Sequence, residues 1–422
     1  MEFCVLTEKE YDEFSKKNEG LSFFQTIENA HLRKMYGAII HYLGVKENGK
    51  VVMGGMFTET PCMFGKKRFY APQGFLGDYK NISLLKYFTI NLRDYAKKRN
   101  AMFIKIDPPV IYQIRDVNGD IIEGNTREDD VINNLKALGY KHFGFTKDYR
   151  FSQSRWNFRL ELDTSYDELK KRFSKSTRKN IDNMYLKGVS IKRGTKEDLD
   201  DMTYLLQATA KRKGFMYRTL DYYKKMYECY GDLMQIYIAH VDSSKYLEYA
   251  KTNLEKEEKN KEEILEKMKV DMVGSKLKNN LESSNKRIEK LKEELEYATK
   301  FMEEYPNGRN VGGLLSVKSG NEYITLTSGI LEDAKRFMPK YIMYNEHILD
   351  AYKFGFKYVN FYGISGVFDK SSPIYGVYEF KKGWTGNVVE LVGEFTYKVS
   401  NTYYIYNALR HIKIFYRKIT KK

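Results

Sequence analysis

With 422 residues the chain is too long for one ordinary core, and 42% hydrophobic content is enough for at least two. Its net charge of +16, from 72 Lys and Arg against 56 Asp and Glu, suits polyanions or acidic membrane surfaces, unless it only reflects a lysine-rich proteome. Cys4, Cys62 and Cys229 are far apart and the six histidines lack ligand spacing, which argues against a disulfide framework or metal site and suits a reducing cytoplasm.

The start, MEFCVLTEKEYDEF, is acidic and has no apolar run, so no signal peptide is expected. No window reaches the ~20 apolar residues of a membrane span. The protein is expected in the cytoplasm, soluble or resting at a membrane face. No G-x-x-x-x-G-K-[ST] loop is present, so P-loop chemistry is not expected either.

Two stretches share one order of elements. Val52 to Gly55 heads a run of strands, Arg68 to Gly74 (RFYAPQG) ends one, Leu84, Leu85, Phe88, Leu92, Tyr95 and Ala96 mark a helix, and Ile104 to Pro109 (IKIDPP) reads as the next strand. Asn310 to Gly313 heads the second copy, followed by a helix from Tyr341 to Phe354 and the strand YVNFYGI from Tyr358. Strand, strand, helix, strand is the order of an acyltransferase half of the GNAT type. Paired glycines in a strand are also explained by a bulge, so it is their matching places that favour a repeat. Between the copies lie a basic helix, Phe173 to Val189, and the segment KRKGFMYRTLDY, Lys211 to Tyr222.

From Asp242 to Tyr305 the composition changes. Leu281, Ile288, Leu295 and Met302 recur every seven residues beside Leu277, Ser284, Leu291 and Ala298, and a weaker series runs through Leu247, Leu254, Lys261 and Met268. These predict two helices folded back at Val270 to Ser275, with Gly274 as a helix stop, each arm about 40 Å long. At the end of the chain Ile405, Leu409, Ile412, Tyr416 and Ile419 form a helical stripe flanked by Arg410, Lys413, Arg417, Lys418, Lys421 and Lys422. That stripe either packs back on the first domain or rests on an anionic membrane.

The most informative window is Ser372 to Phe395, SPIYGVYEFKKGWTGNVVELVGEF, which interleaves Tyr375, Tyr378, Phe380 and Trp384 with Lys381 and Lys382. It reads either as an exposed lysine turn or as a lysine set beside an aromatic wall, where low dielectric raises its worth to an oxyanion. The window resembles the SPLYGLYRFKKGFGG signature of the FemABX family, peptidyltransferases that build peptidoglycan cross-bridges from aminoacyl-tRNA. RFYAPQG, IKIDPP, the Phe173 helix and YVNFYGISG resemble four more family motifs in the same order, although Gln73 stands for an arginine and Asn360 for an aspartate.

The resemblance implies an α/β (α+β) fold with two tandem GNAT-like domains and an inserted antiparallel coiled-coil hairpin. The expected division is 1–150 for the first domain, with helix 400–422 on it, 151–242 with 306–399 for the second, and 243–305 for the arm. It implies an aminoacyltransferase that needs no cofactor and takes aminoacyl-tRNA and a murein precursor, lipid-linked or nucleotide-linked, as a monomer or homodimer. Lys381, with backbone groups near Phe380, is expected to stabilise the oxyanion. Asp107 is expected either to accept or orient the amine or simply to close a turn before Pro108. By motif position Arg218 and Tyr222 hold the precursor's phosphates and sugar, with Met216 in place of a hydroxyl residue. Arg33 and Lys34, after a strand end at Phe24-Gln25, resemble the basic residues that bind the diphosphate, in an alignment that also admits His31. Tyr375 joins this substrate-binding group. Lys175, Arg178 and Lys179 meet the tRNA acceptor end or form a solvated face. The arm either contacts tRNA or acts as a spacer or dimerisation hairpin. Two other classes remain open: an acyl-CoA-dependent N-acyltransferase, although the Q/R-x-x-G-x-G/A turn is absent, and a non-catalytic, basic RNA- or partner-binding protein.

Overall fold

The computed structural model describes residues 1–125, 127–148, 152–214, 216–270 and 274–419. Its strands form two eight-stranded mixed sheets, each with its own core. In each sheet one pair of strands is parallel, Lys67–Ala71 with Ala101–Ile106 and Glu322–Ile330 with Tyr358–Gly363. A parallel pair needs a crossover, and a helix supplies it both times, Ile82–Lys98 and Pro339–Lys353. The Asn81 side chain caps the first of these, accepting from the Leu84 N–H at 3.1 Å, and Leu84, Leu85, Phe88, Leu92 and Ala96 form the stripe it buries. The repeat of strand, strand, helix, strand is therefore real.

The cut at residue 150 and the one at 399 do not fall between the sheets. Strand Ile111–Arg115, from the first half, pairs with Asn387–Leu391 at an edge of the second sheet, and Phe395–Lys398 returns to pair with Ala101–Ile106 and Tyr140–His142 in the first. Val392 and Phe395 belong to the first core, while Phe23 and Leu32 belong to the second. Hydrophobic alternation reports that a strand is half-buried, not which sheet buries it.

Helices Ser243–Val270 and Ser275–Glu304 form the arm. At ~1.5 Å per residue, 28 and 30 residues give about 42 and 45 Å. Residues 271–273 of the expected turn lie outside the described residues. Gly274 is not a left-handed helix stop: with φ −72° it precedes the second helix as its extended cap residue. The arm is also less self-contained than its heptads suggest. Leu254, Ser284 and Ile288 are buried along the seam, but Tyr246, Ala250, Ala298 and Phe301 join the core of the second sheet. The rings of Tyr246 and Phe301 lie 4.8 and 5.2 Å from that of Phe337. Glu294 accepts from the Tyr246 hydroxyl at 2.6 Å and pairs with Lys187 at 2.7 Å.

Helix Thr402–Ile419 docks on the first sheet through Tyr403 and Tyr406, whose rings lie 5.4 and 5.5 Å from that of Phe103. The expected stripe is not what packs: Ile405, Leu409 and Ile412 are 57%, 41% and 62% exposed. Tyr403 and Tyr406 lie on another side of the helix, and burying them turns the aliphatic stripe outward. The side chains of Tyr416 and Ile419 lie outside the described residues.

The two parts of the arm are expected to differ in consequence. Phe301→Ala should cost about 3–5 kcal/mol, as large-to-small core changes do. Excising 258–283, beyond the hydrogen bond from Ser284 to Glu257, and closing with a short glycine turn should cost less than about 1 kcal/mol. Denaturant titrations compare them, and equal losses would mean that the distal arm supports the body.

Candidate active site

Strands Glu322–Ile330 and Tyr358–Gly363 are paired only from Glu322 to Ile324 and from Tyr358 to Asn360. Beyond that, Tyr358–Gly363 follows its other neighbour, Trp156–Glu161, through a register shift, while Glu322–Ile330 stays with Arg309–Ser319. The second sheet therefore splits. At the split Tyr362 has φ +59°, a left-handed value rare outside glycine, and its N–H donates to Asn360 Oδ1 at 2.8 Å. Past Asn360 the carbonyls of Tyr362 and Gly363 no longer pair with Glu322–Ile330.

Lys381 takes them. Its Nζ donates to the Tyr362 carbonyl at 3.0 Å and to that of Gly363 at 2.7 Å, and the residue is only 5% exposed. An ammonium has three donors, and these bonds use two, leaving the third for a ligand. The lysine sits in the last turn of helix Tyr375–Lys382, so Lys382 follows about 100° around a helix and is half-buried, not on the opposite face of an extended segment. The next residue, Gly383, lets the neighbouring helix come close: a Cβ there would lie 2.4 Å from Thr177 Oγ1. Phe380 closes one side, edge-on to Tyr341 and Tyr344 at 5.2 and 4.9 Å. Burial, with Lys340 near, pushes the Lys381 ammonium down to about 7.

On the other side of Tyr362 lies a cleft of about 610 Å³ between the two halves of the molecule. Arg33, Met216, Arg218 and Tyr222 all line it, with Leu326, Thr327 and Tyr362 from the split strands. No carboxylate is among the described residues lining it. Arg33 Nε is cut off from water and makes no hydrogen bond, and burial, with Arg218 close by, pushes its guanidinium below the ordinary value. The Arg218 guanidinium lies 4.7 Å over the Tyr222 ring. Two guanidiniums without a counter-charge, among Phe24, Tyr36 and Tyr217, favour an anionic ligand with a flat ring or sugar. Tyr362 also borders a second cavity of about 310 Å³, where Glu322 accepts from Arg159 at 3.2 Å and from Asn360 at 2.8 Å.

Other expected residues lie elsewhere. Phe23–Gln25 is a single helical turn, not a strand end, and in the helix that follows, Ile27–Met35, Arg33 faces the cleft. Lys34 and His31 turn instead to Glu8, at 3.0 and 2.8 Å, because successive helical residues diverge. Tyr375 packs on Tyr378 and does not line the cleft. Asp107 accepts from the Tyr70 hydroxyl at 2.9 Å and from the Gln73 N–H at 2.6 Å, outside both cavities. Burial, with Glu394 nearby, raises its carboxyl to about 8, so it holds the Gln73 turn and does not face the cleft as a base. Lys175 and Lys179 are exposed and Arg178 is half-buried at the start of helix Lys175–Leu186, which adjoins the lysine helix through the Ser174 N–H and the Gly383 carbonyl at 2.9 Å.

A model of the FemAB family matches residues 6–411. The chain belongs to the FemAB family. It is 30% identical over 420 residues to aminoacyltransferase FemB of Staphylococcus epidermidis, covering 98% of this chain and 99% of that protein. To aminoacyltransferase FemA of the same species it is 27% identical over 424 residues, covering 98% and 100%. A crystal structure of FemX matches with a TM-score of 0.73 and 24% identity over 94% of this chain and 97% of that one, a likeness of fold.

In this FemAB chain Tyr36, Tyr217 and Tyr362 line the cleft unannounced. Tyr362 lay within the motif YVNFYGISG, yet its part rests on a backbone carbonyl and a left-handed φ, which no side chain spells out. The buried lysine makes stability depend on pH. The unfolded chain keeps that proton up to its ordinary 10.5 and the folded chain only to about 7. Between those values the unfolded state binds more protons, so stability rises with pH, and below 7 the cost is complete. From pH 7 to pH 10 the parent should gain a few kcal/mol in unfolding free energy relative to Lys381→Met. Identical profiles for the two would mean that Lys381 is solvated.

Proposed function

We propose that the protein moves an amino acid from aminoacyl-tRNA onto an amine of the stem peptide of a peptidoglycan precursor. Family membership carries the aminoacyl transfer. What carries the site is one arrangement: a cleft with two uncompensated guanidiniums that ends at Tyr362, whose carbonyl holds a buried lysine. Arg33 and Arg218 take the precursor's diphosphate, and Tyr36, Tyr217 and Tyr222 flank its sugar or base. The polar cavity past Tyr362, with Glu322, accepts the peptide that bears the amine.

The amino acid arrives as an ester and is already activated. The neutral amine attacks the ester carbonyl, a tetrahedral oxyanion forms, and its collapse breaks the ester bond and makes the amide. The proton lost by the amine balances the one gained by the leaving ribose hydroxyl. Lys381 presents its third N–H to that oxyanion, and its two carbonyl bonds keep the ammonium aimed without reorganisation. Lys175, Arg178 and Lys179, beside the lysine helix, meet the RNA backbone.

Incubation with charged tRNA pools and both precursor forms, read by mass, tests the reading. RNA binding without any mass shift would favour the non-catalytic alternative. Lys381→Ala should lower the transfer rate on the order of 100- to 1,000-fold with the precursor KM unchanged, and Lys382→Ala only a few-fold. Arg33→Ala should instead raise the precursor KM roughly 10- to 100-fold, since phosphate binding acts in ground and transition states alike. Equal activity of the two lysine variants would remove Lys381 from the mechanism.

A membrane contact completes the proposal. No described helix is long and apolar enough to cross a membrane. The exposed stripe of Ile405, Leu409 and Ile412, with Arg410 and the cations that follow, matches instead a helix lying on an anionic surface, where a lipid-linked precursor resides. Replacing Lys413, Arg417, Lys418 and Lys421 by glutamine should reduce sedimentation with anionic vesicles. No sedimentation of the parent would end the idea.

A further inference from the structure

The two faces of the split are covered by different helices and carry different cations. Successive residues of Arg309–Ser319 show which helix covers which face: a Cβ on Gly313 would meet Leu205, and one on Gly312 would meet Pro339 and Met343. The precursor cleft lies on the side of helix Leu199–Lys213, which lends it Leu206, Gln207 and Ala210. The lysine helix lies on the side of Pro339–Lys353, where Phe380 packs against Tyr341 and Tyr344. On that second side Lys340 Nζ lies 5.9 Å from the centre of the Phe380 ring.

Lys340 is half-buried and, among the described residues, forms no ion pair. Arg212 and Lys213 are near enough to act on its charge. Leu199–Lys213 ends in Lys211, Arg212 and Lys213, and of these Arg212 is partnered by Glu332, which Lys335 also shares. Lys381 follows Phe380 in the same helix. Burial, then Arg212 and Lys213, hold the Lys340 ammonium below its ordinary value, and Lys340 does the same to Lys381. With Arg212 held by Glu332, the repulsion between Lys340 and Lys381 is what an anion would relieve. A polyanion entering here would leave the precursor cleft free.

We propose that Lys340, on the helix that covers the other face, receives a backbone phosphate of the RNA 3′ end, so that the donor reaches the split from the face opposite the precursor cleft. This rests on the donor being an aminoacyl-tRNA, as above. A lysine suits the task because it is a compact point charge that grips phosphate without reading sequence, and every charged tRNA must be accepted by its shared end. The ester then lies beside Phe380, within reach of Lys381. The amine comes from the Tyr362 side, so the two substrates meet through the split without competing for one groove. Lys175, Arg178 and Lys179 border the same face and extend the track.

The test uses the full chain and an uncharged RNA hairpin with the tRNA acceptor stem and its single-stranded 3′ end. Affinity is measured against salt for the parent, Lys340→Gln and Lys340→Arg. One lost phosphate contact should lower the slope of log K against log salt by about 0.7 to 0.9 and weaken binding several-fold at low salt. Lys340→Arg should restore both, and the precursor KM should not move. An unchanged slope in Lys340→Gln, with the parent binding the hairpin, overturns this assignment and leaves the aminoacyl-tRNA reading standing. A parent that binds no RNA overturns both. A raised precursor KM with unchanged RNA binding would place Lys340 in the other cleft and also overturn it.

Discussion

The site depends on a sheet that comes apart. Only three residues of Glu322–Ile330 pair with Tyr358–Gly363 before the strands diverge, and at the divergence the Lys381 ammonium meets two backbone carbonyls. Backbone carbonyls inside a protein need donors, and the lysine ammonium supplies one to each. The same bonds compensate in part for burying a charge, which otherwise costs more than a protein of ordinary stability can absorb. The lysine and the split therefore need each other. Neither is tenable alone.

The exchanged strands hold that geometry in place. Because Ile111–Arg115 completes the second sheet and Phe395–Lys398 completes the first, the halves cannot slide past one another without breaking ladders in both. A buried ion cluster adds direction. Glu390, on the strand that receives Ile111–Arg115, accepts from Arg115 at 2.9 Å and Arg155 at 2.5 Å. Such a cluster contributes little net stability but penalises any register that leaves one charge unpaired. The cleft is thus walled by parts whose spacing is set by hydrogen bonds, which suits a reaction that relies on orienting two large substrates.

Much of the outline was legible in the chain. Heptads revealed the arm, because two helices that bury a shared seam must repeat it every seven residues. The paired runs of strand, strand, helix, strand revealed the tandem halves, since period and order are local properties. The segment from Lys211 to Tyr222 drew attention to Arg218 and Tyr222, which line one cleft, and the window around Lys381 to a lysine that is buried. The misses have equally plain causes. Lys34 was paired with Arg33 because they are neighbours, although a helix turns neighbours apart. Tyr375 shared a motif with Lys381 but lies a full helix away from the split. Asp107 was open between an amine contact and a turn before Pro108, and the Tyr70 hydroxyl and the Gln73 N–H take its two oxygens.

What the sequence alone determined was a family, an order of elements, an arm and a basic surface, because each of these is written in residues near one another in the chain. What only the tertiary structure decided was which cations stand without counter-charges, which carbonyls the lysine meets at the split, and which sheet each exchanged strand completes. Those properties belong to residues far apart in the chain. Arg33 and Arg218 are 185 positions apart yet share one cleft, and Lys381 meets the Tyr362 carbonyl where two strands part. Charge and hydrogen-bond satisfaction are sums over everything nearby in space, so they are settled only when the chain has folded.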